Sequence, residues 1–420
     1  MRKVLVIFLL VVLALSFTAC PRRTEADPVI RLFFWDANQV PGIQKVLDEF
    51  TAETGIRTRV DQAPWGDYWT VLEASATAGT LPDIFVMNTL EIQRYMAAGL
   101  IMDLTDRINR SNLVDMRRFP QDVANIYSFQ GRNYGIVKDI DTIALWYNKR
   151  HFEEAGIPFP TDNWNWNDLL TAARRLTNPA IGRFGYVHNA GESQTGYWNF
   201  IYQNDGFVID TTTRRTSGFD NPRTIEAMEF VVGMIRDGLS PSVEVTEQTG
   251  KMDLFLGGMV SMATFGSWLL GTFNSSPWFQ QNADLVMLPM GPRGTRATIY
   301  NGLGWCGSAN TAHPEEVWRV LEFLGSERAQ RRLAEEGVAI SAMSGTADGF
   351  FSQFTHWDAG AYLRMMDYSV MRPYSINTGG WEFGIMIPAM QEAFGLRRPV
   401  AVIMRELAER MNAHLAAERL

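Results

Sequence analysis

Between residues 29 and 87 the chain switches its hydrophobic period repeatedly, and that alternation restricts the folds open to it. Val29 to Trp35 is rich in β-branched and aromatic residues and reads as a strand. After a Pro41-Gly42 break, Ile43, Val46, Leu47 and Phe50 recur at i, i+3, i+4 and i+7, the apolar face of a helix. Gly55 is placed to stop that helix, and Ile56 to Val60 alternates as a second strand. Tyr68 to Ala78 returns to helical spacing and runs into Gly79-Thr80-Leu81-Pro82, before a third short strand over Asp83 to Met87. The order β-α-β-α-β predicts an α/β layer with a parallel sheet, and such sheets collect ligands at the carboxyl ends of their strands. Trp35, Trp65 and Asn88 each follow a predicted strand and so fall on that edge.

Farther along, Trp166 to Leu176 puts Leu169, Leu170, Ala173 and Leu176 on one face, with Asn165 as the cap. Leu285 to Leu288 reads as a strand. Helices follow from Pro314, with Val317, Val320, Leu321 and Leu324 inward, and from Val400, with Met404, Leu407, Met411 and Leu415 as the stripe. No fixed-period repeat is present. The 420 residues exceed what one hydrophobic core usually serves, so two domains are expected.

The amino terminus sets the compartment. Arg2 and Lys3 precede an uncharged, mostly apolar run from Val4 to Phe17, too short to span a bilayer comfortably and placed where a secretory signal sits. The ending Phe17-Thr18-Ala19-Cys20 resembles a bacterial lipobox, which implies a lipoprotein-type signal over 1–19, a lipidated Cys20 and a polar tether over 20–28. Cleavage near Ala19 without a lipid is the alternative. In either case the body of the chain is expected outside the cytoplasm, in the periplasm or on the outer face of the membrane.

Net charge is −8, which argues against nucleic acid or polyanionic partners. Of two cysteines, Cys20 is committed to the signal, and Cys306 lies in the apolar stretch Leu303-Gly304-Trp305-Cys306, the setting of a buried structural thiol. The five histidines are scattered without a zinc-type pair, so neither metal nor cofactor is expected. The distinctive composition is aromatic: thirteen tryptophans, many beside Gly, Pro, Asn or Asp. Examples are Trp35-Asp36-Ala37-Asn38, Pro64-Trp65-Gly66-Asp67-Tyr68 and Gly266-Ser267-Trp268. Loop aromatics with hydrogen-bonding neighbours suit a ligand that has both apolar faces and many hydroxyls.

Several landmarks recur in a familiar order. They are Phe50-Thr51-Ala52-Glu53-Thr54-Gly55-Ile56, Ala78-Gly79-Thr80-Leu81-Pro82-Asp83-Ile84, and Tyr95 through Gly99-Leu100-Ile101-Met102-Asp103-Leu104-Thr105. Tyr134-Gly135-Ile136, Leu145-Trp146-Tyr147-Asn148-Lys149 and Ala155-Gly156-Ile157 follow. Phe255 to Gly258, Met262-Ala263, Gly266 with Trp268, and Leu288-Pro289 before Gly291-Pro292 complete the set. In order and spacing the chain resembles the family 1 extracellular solute-binding proteins of ABC importers, whose sugar-binding members include maltodextrin-binding proteins. The resemblance implies two α/β lobes joined by a hinge, with ligand held in the interlobe cleft. Carried over, the first lobe takes 29–139 and 290–340, and the second takes 140–289 and 341–420. The hinge strands fall near Val137 to Asp141 and near Leu288-Pro289.

The resemblance also implies site residues. Trp268 matches the family's Gly-x-Trp tryptophan, which stacks on a sugar ring. Asp141 stands where the family often carries a sugar-binding carboxylate, with Asp139 as competitor. Trp35, Asp36 and Asn38 follow the first strand, and Trp65 and Tyr68 the second. Asn88 follows the third, between Met87 and Thr89, where some oligosaccharide binders of the family carry aromatic and acidic groups; this is a departure from the maltodextrin pattern. Asn301, Gly302 and Trp305 lie in a glycine-rich stretch after a strand, and Trp357, Trp381 and Phe383 match a region where members add an aromatic platform. Asp83 reads as structural and Tyr147 as core.

The implied function is delivery of a carbohydrate to ABC permease subunits by a monomeric binding protein without catalysis. One alternative keeps the fold and changes the cargo to a sugar phosphate, peptide or anion. Anionic cargo calls for cleft cations, and Lys138 is the only basic residue the sequence puts there. The other alternative is a secreted glycan-cleaving enzyme, which needs a pair of carboxyls about 5–10 Å apart; no paired acidic motif stands out.

Overall fold

A computed structural model describes residues 28–418. The signal segment, Cys20 and nearly all of the tether lie outside the described residues.

The first strand, β1 (Val29–Phe34), leads into helix α1 (Val40–Thr54), which buries Ile43, Val46, Leu47 and Phe50 as their spacing requires. Gly55 ends α1 at φ 75°, a left-handed conformation that glycine adopts without steric cost. Strand β2 (Arg57–Gln62), helix α2 (Trp65–Ala78), strand β3 (Ile84–Met87) and helix α3 (Ile92–Ala97) follow. Strands β2, β1 and β3 lie side by side and parallel, as the alternation demands. Each expected element forms, with ends shifted by up to three residues: α2 starts at Trp65 rather than Tyr68.

Two strands that the periodicity did not reveal complete this first sheet. Gly304–Gly307 pairs antiparallel with β3 on one side and with Ile136–Val137 on the other. One face of the sheet is covered by α1 and by the helices Pro314–Leu324 and Glu327–Glu335, whose Val317, Leu321, Leu324 and Leu333 pack with Trp305 and Phe34.

A second, three-stranded antiparallel sheet is built from Ala283–Val286, Ile143–Asn148 and Met262–Gly266. All six residues of Ile143–Asn148 are buried, so this central strand is covered on both faces and shows no alternation. Helix Trp166–Leu176 packs beside it, opened by an Asn165–Asp168 capping box, and the terminal helix Val400–Ala417 buries Met404, Leu407, Met411 and Leu415. The two sheets form two lobes. No helix among the described residues is long and apolar enough to cross a membrane.

The chain passes between the lobes where Asp139–Ile140 pairs with Ile340–Ser341 and Asp141 bridges Asn301. The return crossing differs from the Leu288-Pro289 expectation. Met290 exchanges backbone bonds with Trp164 and Trp166, and Thr298–Tyr300 pairs with Ser369–Met371, so residues 290–300 stay on the second-sheet side. The crossing comes at Asn301 to Leu303, where Asp141 N donates to Asn301 O at 3.0 Å and Lys138 N to Leu303 O at 2.7 Å. Leu288-Pro289 follows a strand and looks like a strand exit to a sequence reader, but its backbone partners belong to the second lobe.

Candidate interlobe binding site

At the carboxyl edge of the first sheet, Trp35 leaves β1 and meets the opening turn of α2. Its ring lies edge-on to Trp65 at 5.0 Å and to Tyr68 at 5.0 Å, and 5.9 Å from Trp69. Trp65 is 42% exposed, costly for so large an apolar side chain unless something covers it. Tyr68 is different. It is fully buried, stacks on Phe33, and its hydroxyl donates to Val86 O at 2.7 Å while accepting from Val86 N at 3.0 Å. Tyr68 therefore ties α2 to β3 and does not face the cleft, contrary to expectation.

Asp36 shapes the loop after β1, accepting from Asn38 N at 2.9 Å and from Gln39 Nε2 at 3.0 Å. That turn aims Asn38 at the second lobe, where its Nδ2 donates to Thr272 Oγ1 at 3.0 Å. Asn88, buried after β3, accepts from Leu90 N at 2.9 Å and so folds the loop that carries Thr89 and Glu91.

The hinge forms the floor. Asp139 is buried, paired with the buried Lys138 ammonium, and accepts from Leu303 N at 3.1 Å. Lys138 Nζ also donates to Gln39 Oε1 at 2.8 Å. Asp139 is thus engaged in hinge contacts. Asp141 Oδ1 accepts from Gln194 Nε2 at 2.8 Å and from Asn301 N at 3.1 Å, with no cation bonded to it. Burial first, and then the Asp139 charge, push the Asp141 carboxyl well above the usual carboxylate range. Asn301 is buried with its Oδ1 unpartnered.

Gly302, by contrast, is packing. A Cβ there would lie 2.2 Å from a Val123 methyl and 2.9 Å from Asp139 O, so only glycine lets the crossing segments approach. Trp305 is fully buried in its strand, Trp357 packs edge-on to Trp146 at 4.9 Å, and fully buried Trp381 donates Nε1 to Ser375 Oγ at 3.0 Å. These three expected ligand aromatics are core. Sequence cannot separate them from loop tryptophans because glycine and polar neighbours also occur wherever indoles pack tightly. Phe383, next to Trp381, is 50% exposed. Cys306 is buried and its thiol is pushed up by burial, as its apolar context implied.

On the second lobe, Trp268 is half-buried, and its ring folds back over Gly266, where any Cβ would lie 2.1 Å from the indole. Four residues on stands Thr272, the partner of Asn38. Sequence reasoning missed Arg372. It is buried, donates Nη1 to Thr89 Oγ1 at 2.9 Å across the lobes and Nη2 to Glu382 Oε2 at 2.5 Å, and lies 5.2 Å over the Trp198 ring. Glu382 opens a five-residue π-helical turn, Glu382–Met386, and also accepts from Ser193 Oγ at 2.7 Å. An arginine framed by Met371 and Pro373 was the available signal. Lys138 is therefore not the only cation near the cleft, but each of the two is matched by its own carboxylate.

No group of His, Cys, Asp and Glu that could hold a metal occurs among the described residues.

Comparison with known proteins is consistent with this architecture. The profile of the bacterial extracellular solute-binding proteins matches residues 36–331. The galactooligosaccharide-binding protein of Bacillus subtilis is 22% identical over 83% of this chain and 82% of its own. Among solved structures, an ABC substrate-binding protein of Listeria monocytogenes in complex with cycloalternan superposes with a TM-score of 0.84 at 19% identity, over 93% of this chain and 99% of that one. The GacH receptor of Streptomyces glaucescens superposes with a TM-score of 0.80 at 16% identity, over 94% of this chain and all of that one. With two lobes, a hinge floor and an extended family match, the chain belongs to the bacterial extracellular solute-binding proteins.

Proposed function

We propose that this protein is the extracytoplasmic substrate-binding component of an ABC importer. It holds a neutral sugar or oligosaccharide between its lobes and hands it, chemically unchanged, to permease subunits. The observation that carries this reading is the pairing of charges around the cleft: Lys138 with Asp139, and Arg372 with Glu382. Asp141 remains, held toward its neutral form. A site without a spare cation disfavours an anionic ligand, which would need one to pair with, and so supports a neutral ligand. Trp35, Trp65 and Trp268 offer flat surface, and Asp36, Asn38, Asn88, Asp141 and Asn301 offer hydrogen-bonding groups. Two of the relatives, named for galactooligosaccharide and solved with cycloalternan, support the same class.

Capture of Asp139 by Lys138 leaves Asp141 without a free acidic partner, which supports binding without glycoside cleavage. The lobes divide near the crossings, so that the first sheet with its helices moves against the second sheet with its helices as the cleft opens and closes. The protein acts as a monomer, anchored to the membrane through lipid on Cys20. A Cys20→Ser substitution releases it into the soluble fraction.

The test is a thermal-shift screen of the mature chain against neutral mono- and oligosaccharides, sugar phosphates and short peptides, followed by recovery of the ligand. A ligand that binds only the folded state raises Tm. The expected result is a shift with one neutral sugar series and intact sugar afterwards. A shift with phosphates or peptides alone overturns the ligand class, and consumed sugar overturns the absence of catalysis.

A further inference from the structure

Outside the cleft, a groove of about 740 Å³ runs along α2 on the first lobe. Its floor is one helical face, from Trp69 through Ala74 to Thr77, and its wall is Glu91 and Arg94 at the start of α3. We propose that this groove is an accessory subsite for the outer units of a saccharide chain whose inner end lies in the cleft. This rests on the carbohydrate reading above.

Continuity with the cleft selects that occupant. Helix α2 begins at the carboxyl end of β2, so its first turn stands at the cleft mouth and the rest of it leads away. Trp69 belongs to both places: it packs edge-on to Trp65 at 5.4 Å inside the aromatic cluster, and it opens the groove. From Trp69 to Thr77 the groove extends about 12 Å at the helical rise. Glu91 likewise faces both ways. It lines the groove, and its Oε1 would lie 2.5 Å from a Cβ on Gly379 of the second lobe.

Exposed aromatic surface marks the same passage. Trp65 at 42% and Phe383 at 50% stand on opposite lobes, Phe383 within 3.8 Å of that same Gly379 position.

The wall chemistry also suits sugar. Arg94 donates Nη2 to Glu73 at 2.6 Å and Nε to Glu91 at 2.9 Å, and Tyr95 OH donates to Glu73 at 3.3 Å. The cation is fully matched, so the wall presents carboxylate acceptors to hydroxyls and no free positive charge to an anion. A protein segment docking here is the competing occupant, and the experiment separates the two.

Titration calorimetry on the mature chain uses one graded series of neutral oligosaccharides from monomer to hexamer, of whichever linkage the thermal screen selects. Ala74→Lys projects a long side chain into the groove from an exposed helical position, and Val71→Lys places the same change on α2 outside it. The expected result is a Kd that falls about tenfold or more with chain length. Ala74→Lys abolishes that gain and leaves the Kd for the shortest binding sugar unchanged, while Val71→Lys changes neither. Length-independent affinity, or an equal gain in Ala74→Lys, overturns the subsite while leaving the cleft reading intact. A failure of every saccharide to bind overturns the cleft reading and the subsite with it. Normal length dependence in Ala74→Lys with lost transport in vivo assigns the groove to a protein partner and also overturns the proposal.

Discussion

Asn38 and Thr272 meet across the cleft, the Asn38 amide donating to the Thr272 hydroxyl at 3.0 Å from a loop of the first lobe to a helix of the second. Together with Arg372–Thr89 and the Gly379 N to Leu90 O bond at 3.3 Å, it ties the two sides of the cleft directly, away from the hinge. The closed arrangement is thus partly written into the protein's own side chains.

Cutting the outer tie should therefore cost affinity without harming either lobe. An exposed neutral hydrogen bond contributes about 0.5–1 kcal/mol net, so Asn38→Ala and Thr272→Val should each raise Kd two- to fivefold. The double variant should be no worse than the poorer single one. Titration calorimetry checks this, and additive losses would mean that the two residues act separately.

Gly379 governs the inner tie. A methyl there meets the Glu91 carboxylate, which Arg94 holds in place. Gly379→Ala should open the lobes, seen as a larger radius of gyration in X-ray scattering, and Glu91→Ala in the same chain should restore the closed value.

Lys138→Met leaves the buried Asp139 carboxylate without its cation. Breaking a buried pair costs about 3–5 kcal/mol, to be read as a lower urea midpoint. Adding Asp139→Asn should recover much of it, because the stranded charge is then gone.

Acid should weaken the fold in a defined window. Burial holds His188 at about 3 and His151 at about 4. An unfolded histidine titrates near 6.5, so the unfolded chain takes up the extra protons as pH falls. The contribution of each is complete above about 6.5 and is lost on acidification at up to about 1.4 kcal/mol per pH unit. Asp141 acts in the opposite sense: with its folded pKa raised, its contribution is complete below the unfolded carboxylate pKa and shrinks as pH rises. Between pH 7 and 6 the two effects largely offset, whereas between pH 6 and 5 the two histidines outweigh the one carboxylate, so the urea midpoint should fall over that second interval, and His188→Phe should flatten the fall.

Tryptophan substitutions should divide into two groups. Trp305→Ala removes a fully buried ring and should cost about 3–5 kcal/mol of stability. Trp268→Ala should weaken sugar binding at least tenfold with little change in the urea midpoint. Equal destabilisation by both would make Trp268 core.

What the sequence revealed divides along physical lines. Periodicity exposes elements that bury one face, which is why α1, the helix from Pro314 and the terminal helix were legible with their inward residues named. It is silent on Gly304–Gly307, a four-residue strand buried on both faces and joined by long-range pairing. The lip of the site was legible because Trp35 and Trp65 follow strands, and strand ends are topologically special. Tyr68, Trp305, Trp357 and Trp381 were misassigned because residue type cannot distinguish an aromatic offered to a ligand from one offered to the core. Arg372 and Glu382 escaped notice because each explains the other only once the chain has brought them together.

The position of Gly304–Gly307 also sets when the first lobe can finish folding. The strand lies between partners that end at Met87 and Val137, so the first sheet stays incomplete until residue 307 has been synthesised. Such distant pairing slows folding. During translation the amino-terminal third therefore has no finished sheet to settle into until the chain has passed residue 307.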